Sequence, residues 1–364
     1  MTTTSSLPRR LVASTIACAA LAVLGLSSAL AAPPNAYMAR NLVSNGKVAA
    51  EHVDANLVNP WGVAFNPQGF VWVADNGTGV STLYDGNGIA QSLVVTVPGV
   101  GGATGVPTGI VFSGSSTDFM VSEGANSGPS RFIFVTEDGE VCGWAPKVDV
   151  NNAICPVMMA DSIYKGVALA TGNDGAERLY ATDFHNSRID VYDAGFHKVS
   201  TGGDWTDPTM PANFGPFGVA ALNGRIYVSY TQQDADHEDD LPGRGIVDIF
   251  DTEGHFLKRG AAQAGLDSPW GMVIAPADFG HFSNRLLVSN FGDGTITAYD
   301  VKTGNYLGKV RNADGTTFKR HGIWGIAFGN GLLDQPTNTL FFAAGPHEEK
   351  DGVYGRIDVA APDR

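Results

Sequence analysis

Between positions 234 and 240 the chain sets Asp234, Asp236, Glu238, Asp239 and Asp240 within seven residues. Carboxylates this close repel one another unless water or a cation neutralises them, and hard oxygen donors of this kind suit Ca2+ or Mg2+. The spacing is not that of an EF-hand, because no Gly stands at the sixth position of the run and no Glu at the twelfth. A bound divalent cation and a solvated acidic loop therefore both stand as readings. A second acidic stretch holds Glu348, Glu349 and Asp351. Asp75, Asn76, Glu123, Asp183, His185, Asn290 and His347 each follow or close an apolar run. They are candidates for binding a ligand, or else for accepting hydrogen bonds from loop amides. Trp61, Trp270 and Trp324 each precede a glycine. Their indoles could stack on a sugar or apolar ligand, or wedge between structural units. No Gly-x-Ser-x-Gly elbow and no His-Glu-x-x-His pair occurs, so nucleophilic serine chemistry and zinc hydrolysis have no warrant.

The elements that would position these groups repeat. Each copy has a bulky or polar residue, a Gly, a short apolar strand, a turn, and a second strand ending in small and polar residues. Trp61-Gly62-Val63-Ala64-Phe65 leads to Phe70–Asp75 in the first copy, and Trp270-Gly271-Met272-Val273-Ile274 leads to Arg285–Asn290 in the fifth. The glycines fall at 62, 109, 166, 218, 271 and 325. A period near 50 residues with several short strands is the mark of propeller blades. The expected fold is an all-β, six-bladed β-propeller of four-stranded blades. The glycine fits the innermost strand, where backbones crowd round the axis. Asp118–Glu123 reads as the second strand of blade two. Residues 39–45 read as a lone strand that supplies the outer strand of blade six and closes the ring. The links after the second strands are long in blades two (124–130), four (231–245) and six (345–355). They should gather with the Trp residues on one rim, a usual place for binding; tolerated insertion is the competing reading.

The first 31 residues read as a signal peptide. Arg9 and Arg10 precede an apolar run from Leu11 to Leu26, and Ala29-Leu30-Ala31 is a small-x-small cleavage site. Residues 32–364 then form the single propeller domain. The run is short for a membrane span, and no later segment approaches one. Export to the periplasm or medium favours a disulfide between Cys142 and Cys155, with two buried thiols as the alternative. Cleavage would remove two Arg and no acids, so 23 basic residues become 21 against 37 acidic ones, and net charge moves from -14 to -16. That excess excludes nucleic acid and anionic membrane as natural partners. A small molecule or an extracellular protein or glycan is expected instead.

Ala181–Asp193 (Ala-Thr-Asp-Phe-His-Asn-Ser-Arg-Ile-Asp-Val-Tyr-Asp) resembles an NHL-type repeat. The Asn59-Pro60-Trp61-Gly62 start, the Thr136-Glu137-Asp138-Gly139 segment, the acidic loop and the Gly345–Gly352 ending resemble a widespread family of exported bacterial propellers. This resemblance spans residues 40–359 and implies the fold rather than an activity. Six-bladed lactonase and gluconolactonase propellers are more distantly similar. They hold a catalytic cation with Glu, Asn and Asp, which Glu123, Asn290 and Asp183 imitate by position alone. The Trp-Phe-Thr-Glu blade motif of streptogramin lyase is absent. Two functions follow as expectations: a binding propeller with its ligand at the loop-rich mouth, or a divalent-metal-dependent hydrolase or lyase using the same face.

Overall fold

A computed structural model describes residues 1–5, 34–262 and 265–360. The expected signal peptide lies outside these residues, apart from its first five. The compact unit begins at Pro33. Six antiparallel sheets of four blade strands follow one another along the chain. Blade one runs Pro60–Phe65, Val71–Asp75, Val80–Tyr84 and Val95–Thr96 from the axis outward. Blade three runs Tyr164–Thr171, Glu177–Asp183, Arg188–Tyr192 and Lys198–Val199, and blade five Pro269–Ile274, Leu286–Asn290, Ile296–Tyr299 and Tyr306–Lys309. Among the described residues no helix is long and apolar enough to cross a membrane.

Each inner strand lies against the inner strand of the next blade, which is why glycine recurs there. A Cβ on Gly62 would lie 2.7 Å from Ile110 Cγ2 and 2.8 Å from the Thr108 carbonyl. On Gly109 it would lie 2.6 Å from the Val167 amide nitrogen, and on Gly271 2.7 Å from the Trp324 carbonyl. Hydroxyls tie the same seams. Thr108 donates to the Tyr164 carbonyl (2.7 Å), Thr182 to Phe217 (2.8 Å) and Ser289 to Trp324 (2.5 Å). Apolar side chains between blades supply the core, and burying one large aliphatic or aromatic side chain contributes roughly 1.5–3 kcal/mol.

The ring closes as the sequence predicts. Tyr37–Ser44 pairs antiparallel with Val353–Val359, from Tyr37 opposite Val359 to Ser44 opposite Val353. His52–Val53 adds a short parallel strand outside it. The Tyr37 hydroxyl donates to the Phe279 carbonyl (3.0 Å), fastening this strand to blade five as well.

Blade two departs from the sequence reading. Its second strand is Phe132–Thr136, not Asp118–Glu123. Met120–Glu123 pairs instead with Asn126–Pro129 as a separate hairpin. This hairpin is inserted between the inner and second strands, so it leaves from the face opposite the mouth. Its root is fixed by Phe119, whose amide donates to Ala194 and whose ring packs edge-on against Phe196. Glu123 and the 124–130 link are thereby removed from the expected rim. Cys142 and Cys155 are joined, linking the third and outer strands of this blade.

Candidate functional site

The residues preceding the ring glycines converge on the axis and close it. Trp61 and Trp324 stack with ring centroids 3.5 Å apart, and Trp270 meets both edge-on at 6.0 and 5.8 Å. Phe184, Phe217 and Phe291 complete the plug. Trp61 and Trp324 are only 2% and 1% exposed, so the indoles form no open platform. Below the plug, the far half of the channel is a cavity of ≈ 340 Å3 walled by inner-strand aliphatic residues and Trp270.

Lys165 is the one charged residue among the six ring positions, and it lies buried on the mouth side of this plug. Its ammonium pairs with the Glu137 carboxylate at 2.5 Å and sits 5.5 Å from the Trp61 ring and 5.8 Å from that of Phe184. Such cation–π contacts strengthen when desolvated. Glu137 also accepts from Asn76 Nδ2 (2.9 Å), and Asn76 accepts from Asn59 Nδ2 (3.2 Å). Asn59 in turn accepts from the Trp324 indole (3.2 Å). A hydrogen-bonded chain thus runs from the plug to the charged pair.

Two loops bring further acids to this point. The second and third strands of blade four, Arg225–Gln233 and Asp240–Phe250, rise as an extended hairpin. Gln233 anchors it to blade three by donating to the Phe184 carbonyl. In blade six, His347, Glu348 and Glu349 take left-handed φ values of 57°, 56° and 62°. Holding a non-glycine residue there costs about 1–2 kcal/mol, and such local strain gathers at functional sites. Burial pushes the Glu349 carboxyl up to about 7; Glu137 adds to the rise, Lys165 opposes it, and Asp240 and Asp239 raise it further. Burial also raises Asp240, against a Ser268 hydrogen bond and Lys165. One oxygen of Asp240 is buried without a hydrogen-bond partner. Lys165 opposes the rise at both Asp240 and Glu349, so the acidic stretches of blades four and six share its field.

Beside them a cleft of ≈ 410 Å3 is lined by Glu137, Asp138, Asp161, His185, Glu238 and the apolar Val100, Met158 and Ile163. His185 Nδ1 is buried there with no partner. Asn76 thus lies against Glu137, and His185 lines the cleft beside it. His347 is exposed and held to Asp351 at 2.7 Å, which shapes its own loop. Two expected ligand groups are spent on structure and a third only in part. Asp75 is buried and accepts from the Thr82 hydroxyl (2.8 Å) through one oxygen, while the other has no hydrogen-bond partner. Asp183 accepts from Ser162 (2.8 Å) and Asn186 (2.9 Å) and pairs with Arg188. Asn290 accepts from the Asp267 amide and donates to Thr295. With Glu123 on the opposite face, the imitation of a lactonase-type ligand set is not assembled.

The blade-four acids do not fit a shared cation. Asp234 accepts the amides of Glu238 (3.0 Å) and Asp239 (3.4 Å) and so turns its own loop. Asp236, Glu238 and Asp239 are exposed, while Asp240 is half-buried beside Ser268. Among the described residues, three metal-type ligand atoms come within 4.8 Å of one another at Glu140, Cys142 and Cys155, where the two sulfurs are bonded together.

Glu137, Lys165, Asn59 and Glu349 were not singled out as site residues by sequence reading. Lys165 carried a signal: a lone charge in a ring otherwise made of Trp, Thr and Phe must find a partner. Glu137 follows the second strand of blade two as Asn76 follows that of blade one, and the misplaced strand hid it.

An NHL repeat pattern matches residues 57–80. The apo-form soluble aldose sugar dehydrogenase of Escherichia coli superposes with a TM-score of 0.55 at 12% identity, over 89% of this chain and all of that one. The PQQ-bound aldose sugar dehydrogenase of Streptomyces coelicolor gives 0.53 at 15%, over 90% and 100%. A streptogramin B lyase gives 0.51 at 12%, over 89% and 97%. At such identities the likeness speaks for the fold alone. Two uncharacterized proteins of Acanthamoeba polyphaga mimivirus are 32% and 30% identical over 332 residues, which is 87% of this chain and 78% and 84% of theirs. The chain belongs to one family with these two mimivirus proteins.

Proposed function

We propose that this protein is an exported binding propeller that takes a small, positively charged ligand at the loop-covered mouth. The observation that carries the reading is the pairing of buried Lys165 with half-buried Glu137 on an aromatic floor, in the field of Asp240 and Glu349. Carboxylates outnumber the Lys165 ammonium there, so an organic cation gains from the acids. The Cys142–Cys155 bond supports residence in an oxidising compartment.

A hydrolase or lyase working through Ca2+ or Mg2+ on the same face is the second reading. The unpartnered Asp240 oxygen beside Glu349 is what favours it. Metal analysis of the purified protein, then calorimetric titration with a panel of organic amines, separates the two. Binding of an amine by metal-free protein, weakened at least tenfold in Glu137→Gln, is the expected result. A stoichiometric divalent ion with chelator-sensitive turnover of lactones or esters would replace the first reading by the second.

A further inference from the structure

Blade two carries a buried acid with no structural employment. Glu140 opens the third strand, Glu140–Trp144, and is 7% exposed. Its Oε2 is buried without a hydrogen-bond partner. A carboxylate oxygen of Glu140 and the sulfurs of Cys142 and Cys155 all lie within 4.8 Å of one another. The two sulfurs differ in access: Cys142 is fully buried, whereas Cys155, on the outer strand Ile154–Met158, is half-buried. Approach of a nucleophile is therefore directed to Cys155, with Cys142 as the leaving group within 4.8 Å of the acid.

We propose that Cys142, Cys155 and Glu140 form a thiol–disulfide exchange site that accepts electrons from a dithiol, with Glu140 as the proton donor to Cys142. A thiolate of the dithiol attacks Cys155 Sγ, a new S–S bond forms, and the Cys142–Cys155 bond breaks. Cys142 leaves with the electron pair and takes the Glu140 proton. The second thiolate of the dithiol attacks the dithiol's own sulfur in the mixed disulfide and releases Cys155, which takes a proton from water. The dithiol is oxidised by two electrons to a cyclic disulfide, and the cystine is reduced to two thiols. Solvent receives the two dithiol protons and reprotonates Glu140. Exchange slows when the leaving sulfur must depart as an unstabilised thiolate, and a buried one is the worst case. A neighbouring acid removes that penalty. Burial raises the Glu140 carboxyl and the charge of Asp138 raises it further, which favours the proton-carrying form.

The test is the rate of reduction of the native protein by dithiothreitol, followed by alkylation and mass spectrometry from pH 5 to 9. In the wild type the rate is expected to rise with ionisation of the reductant and then to fall below that slope as Glu140 loses its proton. Glu140→Gln should be reduced at least roughly tenfold more slowly at pH 6, with the bend gone. Asp138→Asn, which leaves the buried carboxyl in place, should move the bend to lower pH. That second variant, with the wild-type profile, keeps the test open if Glu140→Gln does not fold. An unbent wild-type profile unaffected by Asp138→Asn would overturn the proposal, as would reduction only in denaturant.

Discussion

Two sets of carboxylates in the molecule behave in opposite ways. The acids that open the outer hairpin turns, Asp193, Asp251 and Asp300, each accept backbone amides. Asp251 takes those of Glu253 and His255 at 2.9 Å, and Asp193 takes those of Gly195 (2.8 Å) and His197 (2.9 Å). All three are held below the ordinary aspartate value. At the mouth, Asp240 and Glu349 are held above it by burial and by one another's neighbours. The same functional group gives up its proton readily where the backbone meets its charge and holds it more tightly where burial leaves the charge unmet. Position in the fold decides the role, and composition does not.

Removing the buried mouth cation should have the largest effect. Lys165→Met leaves Glu137 without its buried partner and should cost about 3 kcal/mol in a urea melt. The loss should be smaller at pH 5.5 than at pH 8, because Glu349 then carries its proton. An equal loss at both values would show that Lys165 serves packing rather than the acids. The turn set should respond next. Asp251→Ala forfeits two amide bonds and should cost roughly 1–2 kcal/mol. Since Asp251 is held below its ordinary 3.8, its contribution is complete above that value and is lost as pH falls through the folded one.

Glu349 has the opposite sign. Its folded value near 7 exceeds the ordinary 4.5, so stability falls as pH rises between these values and is flat above. Glu349→Gln should therefore be more stable than wild type at pH 8, by on the order of 1 kcal/mol once solvent screening is allowed for. The variant should flatten the pH dependence only in part. Asp248, raised to about 7 by burial against the opposing Arg259, titrates across the same window. The smallest effect belongs to Glu348, one residue away, whose pair with Lys350 is open to water. Glu348→Gln should leave the thermal midpoint unchanged. A shift as large as that of Glu349→Gln would erase the distinction between the two neighbours.

The ring of glycines was readable because its cause is local: no Cβ fits against the next strand at Gly62 or Gly109. Closure by the first strand was readable because residues 39–45 had no other partner and the last blade lacked an outer strand. Blade two misled because Asp118–Glu123 and Phe132–Thr136 are both apolar runs downstream of Gly109. Only pairing across the sheet tells which of them joins it. The mouth was half readable. Asn76 and His185 follow second strands and stay where that position puts them. The field that Glu349 shares with Asp240 depends on the reach of two loops from blades that are not neighbours, and no single stretch of sequence encodes it.

Because Tyr37–Ser44 finds its antiparallel partner in Val353–Val359, the strand at the start of the ring must wait for the one at its end. Every incomplete product of synthesis, however many blades it holds, keeps an unpaired edge on the strand at its start. Commitment to the native state is thereby deferred until the whole chain is present, and truncated chains remain marked for proteolysis by that open edge.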